Sequence, residues 1–335
     1  MNEPQSVLII QTAFIGDVIL ATALIESLHQ KFPEANIDFV VRKGNESLLT
    51  GHPILREVIV FDKKKKYANL IALIKKIRAN KYDYVFNVQR FATTGIMTAL
   101  SGAKTTVGFD KNPLSSFFSR KVHHQQEGLH EVQRNHKLIE FLVGKGTNRP
   151  RLYPTEAQFD KVRKFKEKPF ITISPASVWF TKQFPVEKWI EFISIVPSSL
   201  SVFLLGAPDD RNLTEQIVRD SGRANITNLA GEFSLLESAA LMKDAEMNYV
   251  NDSAPMHLAS SQNAPVSAVY CSTVPSFGFG PLSDRSFVIE TIEELDCKPC
   301  GLHGHRECPM GHFRCALTIQ KEQLLATMVS AEPSV

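Results

Sequence analysis

The chain has 335 residues, enough for two domains of ordinary size. With 43% hydrophobic and 22% charged residues it is not a disordered chain, and without an uninterrupted apolar stretch of about 18 residues no membrane-spanning helix is predicted. Net charge is only +3, yet residues 1–150 carry 21 Lys and Arg against 13 Asp and Glu, while residues 151–335 carry 17 against 22. The basic half is expected to meet an anionic partner, and nucleic acid, an anionic membrane surface and a phosphorylated substrate all fit.

In chain order, the first predicted strand is Val7–Thr12, followed at once by Ile15-Gly16-Asp17 and a helical pattern over Asp17–Lys31 that Pro33 closes. This segment is the nearest approach to a long apolar run, but Gln11, Gly16, Asp17 and Glu26 interrupt it. It also lacks a basic n-region, so no secretory signal is expected and the chain reads as cytoplasmic. Asp17 falls where a first strand ends and a first helix begins, the place where open α/β sheets bind ligands. Two roles fit it there: N-cap of the helix, and general base toward a bound hydroxyl.

Further strands are predicted at Ile37–Arg42, Val58–Phe61, Tyr84–Val88 and Thr106–Phe109, with helices at Tyr67–Asn80 and Glu131–Val143. Lys63–Lys66 and the helix after it form a basic, partly amphipathic stretch. A solvated face is the default reading, and attraction to anionic lipid the sharper one. The polar stretch Thr147–Pro169 separates a first domain, residues 1–155, from a second, residues 156–335.

The second half repeats the alternation, with strands at Phe170–Ser174, Val202–Gly206, Ile226–Leu229, Met247–Val250 and Val266–Cys271. Helices are predicted at Pro185–Val196, Asp209–Ser221, Ser234–Lys243 and Ser253–Gln262. The strands are β-branched or aromatic without strict alternation, as expected of parallel strands buried on both faces. Repeated β-α-β-α implies two doubly wound domains. After the first strand of this half comes Ser174–Pro185, whose hydroxyls, among them Ser177, and Lys182 suit a phosphate; a solvated loop lysine is the bland alternative. After the fourth comes Asn251-Asp252-Ser253-Ala254-Pro255-Met256-His257, a helix start with N–H groups free to meet an anion; His257, one turn in, is either structural or a ligand contact. Asp209 and Asp210 can bind ribose hydroxyls or cap a helix.

Cys297, Cys300, Cys308 and Cys315 crowd one region with His303, His305 and His312 between them. A structural zinc and a metal-free loop of free or redox-active thiols are both open. No Gly-x-Gly-x-x-Gly follows a predicted strand, and there is no Walker phosphate loop or serine nucleophile elbow, which weakens dehydrogenase, NTPase and serine hydrolase readings.

Three segments in order resemble the bacterial heptosyltransferases of glycosyltransferase family 9. Ile15-Gly16-Asp17-Val18-Ile19-Leu20-Ala21-Thr22-Ala23-Leu24 is similar to their N-terminal signature, and Lys182-Gln183-Phe184-Pro185 to their Lys-Arg-Trp-Pro segment. Asn251-Asp252-Ser253-Ala254-Pro255-Met256-His257-Leu258-Ala259 matches their Asn-Asp-Ser-Gly-Pro-Met-His-Leu-Ala nearly throughout, and Cys297-Lys298-Pro299-Cys300 resembles a late Cys-x-Pro-Cys. This chain departs from them at Ala254 for Gly, Phe184 for Trp, Ala176 for Gly and Ala23 for Pro.

The resemblance implies GT-B architecture, two facing Rossmann-like domains. It implies inverting transfer of a heptose from ADP-heptose to the lipid A–core acceptor of lipopolysaccharide, with no cofactor for catalysis and no nucleic acid partner. Residues 1–155 would take a lipid-linked acceptor at the membrane surface, with peripheral attachment to the cytoplasmic face of the inner membrane. Residues 156–335 would bind the nucleotide-sugar. On this pattern Asp17 is the base, Lys182 meets the donor diphosphate, and Ser177, Asp252, Ser253, Ala254, Pro255 and His257 surround the donor. Two other readings are a nucleotide-sugar epimerase or hydrolase on a similar plan, and a non-catalytic sugar-nucleotide-binding module.

Overall fold

The apolar runs assemble into two parallel sheets in the computed structural model, which describes residues 3–329. The chain divides between Tyr153 and Pro154 into two units. The first unit runs β1 (Ser6–Ile10), α1 (Ile15–Lys31), β2 (Asn36–Arg42), β3 (Leu55–Phe61), α2 (Lys66–Ala79), β4 (Tyr84–Asn87), α3 (Ala92–Ala99), β5 (Thr105–Phe109), β6 (Arg120–Val122), α4 (Glu131–His136) and α5 (Glu140–Val143). Its strand order is β3-β2-β1-β4-β5-β6.

The second unit runs α6 (Glu156–Val162), β7 (Phe170–Ser174), α7 (Val186–Ile195), β8 (Ser201–Leu204), α8 (Arg211–Ser221), β9 (Ile226–Asn228), α9 (Leu235–Met242), β10 (Met247–Asn251), α10 (Ala254–Ser261), β11 (Val266–Val269), β12 (Ser286–Ile289), α11 (Arg314–Leu317) and α12 (Lys321–Val329). Its order, β12-β11-β10-β7-β8-β9, is the same topology. In each unit the winding reverses between the first and fourth strands, β1 beside β4 and β7 beside β10. At such a reversal the two crossovers leave to opposite faces and open a crevice at the carboxyl ends of the strands.

The central strands are buried along their whole length: Val7, Leu8, Ile9 and Ile10 have no exposed surface. This follows from helices covering both faces of a parallel sheet. In the second unit Trp189, Phe192 and Ile193, spaced for one helical face, carry α7 into the core, where Phe184 meets the Trp189 ring edge-on at 5.0 Å. The Tyr249 hydroxyl donates to the Leu324 carbonyl at 3.0 Å, anchoring α12 over the sheet.

Ten strands lie within a few residues of their predicted bounds, and the two that sequence missed are edges. β6 is three residues, Arg-Lys-Val, and β12 is four; an edge strand needs neither length nor a full apolar pattern. α3, α6, α11 and α12 were also missed, α6 lying inside the stretch read as a polar linker. The predicted helix Glu131–Val143 is two pieces, α4 and α5, because the chain tightens into i→i+3 bonds at Leu138 and Ile139.

One charge is wholly enclosed. The Asp38 carboxylate in β2 has no exposed surface, and Arg56 Nε donates to it at 3.0 Å while a second guanidinium nitrogen and the Tyr82 hydroxyl also bond to it. Removing one partner of such a set strands the others. Asp38→Ala is expected to cost about 3 kcal/mol in urea unfolding of the first unit, because Tyr82 loses its acceptor and Arg56 its counter-charge.

Candidate active site

Asp17 stands in the first turn of α1, two residues after the helix begins. The N-cap position is Phe14, whose side chain makes no capping bond, so Asp17 is not the N-cap residue. The Asp17 carboxyl instead turns back toward the backbone N–H groups of Phe14 and of Asp17 itself, which favour its charged form. Those bonds lose to the surroundings. Burial chiefly, and the Glu131 carboxylate secondarily, push its pKa up to about 6 against the pull of Arg42. Glu131 opens α4, which packs on α1, and is ion-paired with the buried Arg134.

The loops at this end are tied across the reversal. The Thr12 hydroxyl after β1 donates to Gln89 after β4 at 2.7 Å, and Asn45 after β2 donates to the Ala13 carbonyl at 2.9 Å. The exposed Phe14 ring lies under the Arg42 guanidinium, 5.0 Å from ring centroid to the carbon. Arg42, at the end of β2, acts on Asp17 from one side and on Lys63 from the other. The Lys63 ammonium is pushed below its ordinary range by burial, then by the positive charges of Arg42 and Lys66. Three cations gathered at the carboxyl ends of β2 and β3 form a site that favours a bound anion. Sequence pointed to the basic run; it could not show that Arg42, twenty residues earlier, joins it.

In the second unit the reversal is bridged by one buried amide. Asn251, the last residue of β10, accepts from the Phe184 N–H at 3.0 Å and donates to the Pro175 carbonyl at 2.7 Å. Both partners follow β7, so the segment carrying Lys182 is fastened to the end of the neighbouring strand. Lys182 Nζ then lies 2.6 Å from Asp252 Oδ2, with side chains 15% and 9% exposed. The Thr273 hydroxyl, beyond β11, donates to the same oxygen at 2.6 Å. Thr273 was not singled out from sequence, since a lone threonine after a strand carries no pattern. Ser177 lies on the same loop, where its carbonyl accepts from Gln183 at 2.6 Å.

Ser253 is the N-cap of α10, with Pro255 in the first turn, and Ser253, Ala254 and Pro255 are half-buried. The N–H groups of Ser253 and Ala254 open at the same strand ends as Lys182. His257 is 4% exposed, one turn into the helix. Asp210 caps: its carboxylate accepts from the Ala207 N–H at 2.8 Å, which settles the 206–210 turn as a helix start. A cavity of about 450 Å³ beside Lys166, Phe170, Asp244 and Glu246 sits at the amino ends of β7 and β10, the wrong end for a crevice ligand.

Among the described residues no three His, Cys, Asp or Glu side chains are grouped to hold a metal ion. Of the two readings open for Cys297, Cys300, Cys308 and Cys315, a zinc set and a metal-free loop, this arrangement supplies no ready-made zinc site. Cys297, Cys300 and Cys308 all act electrostatically on Cys315, which is packed in the core beside Phe313 and Ala316. Burial pushes its thiol up to about 11, away from the thiolate a metal needs. Cys297 has His312 at 3.8 Å.

The family model for glycosyltransferase family 9 (heptosyltransferase) matches residues 70–312. Lipopolysaccharide heptosyltransferase 3 of Escherichia coli is 27% identical over 281 residues, covering 78% of this chain and 82% of that protein. The lipopolysaccharide core heptosyltransferase OpsX of Haemophilus influenzae is 24% identical over 343 residues, covering 99% and 95%. The structure of E. coli ADP-heptose lipopolysaccharide heptosyltransferase II superposes with a TM-score of 0.79 at 21% identity, covering 97% of this chain and 98% of that one. The shared architecture is GT-B, two parallel α/β units of one topology. With a family match over more than half its length, this chain belongs to glycosyltransferase family 9, the heptosyltransferases.

Proposed function

We propose that the protein transfers a heptose, with inversion, from ADP-heptose to a lipid A–core acceptor in lipopolysaccharide core assembly. The observation that carries this reading is the pairing of Lys182 with Asp252 at the sheet reversal of the second unit, beside the start of α10. A cation held in place by a carboxylate that a hydroxyl fixes in turn is already oriented when an anion arrives. That is what a diphosphate leaving group requires.

In this reading residues 154–335 bind the donor, with Lys182 and the N–H groups of Ser253 and Ala254 on the diphosphate and Pro255 and Ser177 beside it. Asp252 orients Lys182. We assign the buried His257 to seating α10. Residues 1–153 take the acceptor. Its hydroxyl oxygen attacks the anomeric carbon as the bond to the diphosphate oxygen breaks; ADP departs with the electron pair, and Asp17 accepts the hydroxyl proton. A base with a pKa of about 6 is charged at neutral pH and is a better proton acceptor than an ordinary aspartate. The cluster of Arg42, Lys63 and Lys66 receives phosphate on the acceptor, which makes a phosphorylated lipid the anionic partner in place of nucleic acid. Among the described residues no helix is long and apolar enough to cross a membrane. We place the enzyme at the cytoplasmic face of the inner membrane, attached peripherally through its acceptor. The cysteine segment is structural in this reading. Zinc analysis of the purified protein decides whether a metal assists: about one equivalent supports zinc, and less than about half removes it.

Asp17→Asn is expected to fold, bind ADP and lose transfer by about 10²–10⁴-fold. Near-normal turnover would exclude Asp17 as base. The wild-type kcat/KM is expected to rise with pH and level off above about 6. Glu131→Gln moves that midpoint down, because a neighbouring negative charge is gone. The same shift bears on stability. A raised carboxyl pKa means the folded state binds the proton more tightly, so stability falls as pH climbs from about 4 through about 6. Asp17→Asn is therefore expected to be more stable than wild type by about 1–2 kcal/mol at pH 7.5, after allowance for solvent screening, and no more stable at pH 3.5. Thermal melts at the two pH values check the sign.

Replacing Arg42 and Lys63 together by Ala is expected to raise the acceptor KM about ten-fold or more at low salt, with the donor KM unchanged and the difference shrinking as salt rises. Equal effects on both substrates would argue against an acceptor-phosphate site.

A further inference from the structure

The segment bearing the cysteines does more than fill space beside the sheet. Residues 300–305 are joined to the Lys182 loop and to the end of β11 by hydrogen bonds that run in both directions. The His305 N–H donates to Thr181 Oγ1 at 2.7 Å, and the Thr181 N–H donates to the His305 carbonyl at 3.1 Å. The Cys300 N–H donates to the Ser272 carbonyl at 2.7 Å, and the Ser272 hydroxyl donates to the same Thr181 oxygen at 3.0 Å. Thr181 is 1% exposed and immediately precedes Lys182; Ser272 immediately precedes Thr273, which bonds to Asp252. Lys182 and Thr273, the hydroxyl partner of Asp252, are thus each preceded by a residue that this segment grips.

Gly304 makes the approach possible. Its φ is +76°, and a Cβ built there would lie 2.9 Å from Lys182 Cγ, 3.0 Å from Thr181 Oγ1 and 3.2 Å from Trp179 Cβ. Two of these neighbours, Trp179 Cβ at the root of its side chain and the buried Thr181 hydroxyl, cannot yield by swinging into water. A side chain at 304 has to push the Lys182 stem or the whole loop.

We propose that residues 300–305 form a positioning element of the donor site, in which Gly304 and Thr181 set where the Lys182 ammonium stands. This rests on the reading of Lys182 as the donor-diphosphate cation. The segment touches no substrate in this scheme. It acts through Lys182, as a wedge acts on the part it locates, and a misplacement of about 1 Å at such a cation can cost up to about a hundred-fold.

The test uses the full-length protein and ADP as the probe, titrated by calorimetry, with thermal melts alongside. Gly304→Ala and Thr181→Val are each expected to weaken ADP binding about ten-fold and to raise the donor KM more than they lower kcat. Thr181→Val keeps the shape of threonine but leaves the His305 N–H and the Ser272 hydroxyl without their acceptor. Thr181→Ser, which keeps the oxygen, is expected to restore most of the affinity. In a Lys182→Ala background Gly304→Ala is expected to add little further loss, since the group it positions is gone. Lowered melting with ADP affinity unchanged would make the segment merely structural and overturn the proposal. Full additivity of Gly304→Ala with Lys182→Ala would also overturn it. If Lys182→Ala alone leaves ADP affinity unchanged, the donor reading of Lys182 has failed and the positioning role falls with it; if Lys182→Ala weakens binding while both Gly304→Ala and Thr181→Val do not, the donor reading stands and only the positioning role is lost.

Discussion

A single buried amide holds the second unit's chemistry in place. Asn251 ends β10 and spans the reversal, taking the Phe184 N–H on one side and giving to the Pro175 carbonyl on the other. A parallel sheet obliges the crossovers on either side of its reversal to leave by opposite faces, so the loops there diverge and their backbone groups lose ladder partners. Some polar side chain must meet them. Asparagine can accept and donate at once, which neither aspartate nor leucine of similar size can do at neutral pH. Because the amide is satisfied by the loop after β7, the loop has one place to sit, and Lys182 reaches Asp252 from there.

The first unit solves the same problem with different residues and reaches a different electrostatic end. Thr12 and Gln89 tie β1 to β4, so the topologically equivalent position is again closed by a buried side-chain bond. Yet Asp17 has no cation in contact. It lies low among protein atoms near a second carboxylate, with Arg42 too weak a counterweight, and its affinity for a proton rises. Asp252, after β10, is matched by an ammonium and a hydroxyl. One topology thus yields a carboxyl of raised proton affinity in one unit and an anchored cation in the other. The difference comes from neighbours supplied by other elements: Glu131 from α4 in the first case, Lys182 from the loop after β7 in the second.

The charge imbalance between the halves takes on a local meaning in the same way. The excess of positive charge in residues 1–150 is spread over many surface pairs, such as Lys43 with Asp62 and Lys76 with Glu57, which contribute little. What distinguishes the carboxyl end of the first sheet is a gathering of cations that push against one another. Burial first, then the charges of Arg42 and Lys66, make the Lys63 ammonium easier to deprotonate.

The sequence by itself determined the alternation of strand and helix, the two-domain plan and the position of Asp17, Lys182 and Asp252 at strand ends. It could do so because buried parallel strands must be apolar throughout, and helices that cover them must be striped; both are one-dimensional patterns. It missed β6 and β12, whose edge positions free them from that demand, and it left Cys297, Cys300, Cys308 and Cys315 open between a zinc set and a metal-free loop because spacing carries no depth. Only tertiary structure decided that Cys315 belongs to the core, that Glu131 bears on Asp17 and that Gly304 is pressed against Lys182 from 122 positions further along the chain. Those facts are contacts between distant segments. A contact depends on where the sheet sends each crossover, and on which side chains then meet at its end, neither of which is written in the local pattern of residues.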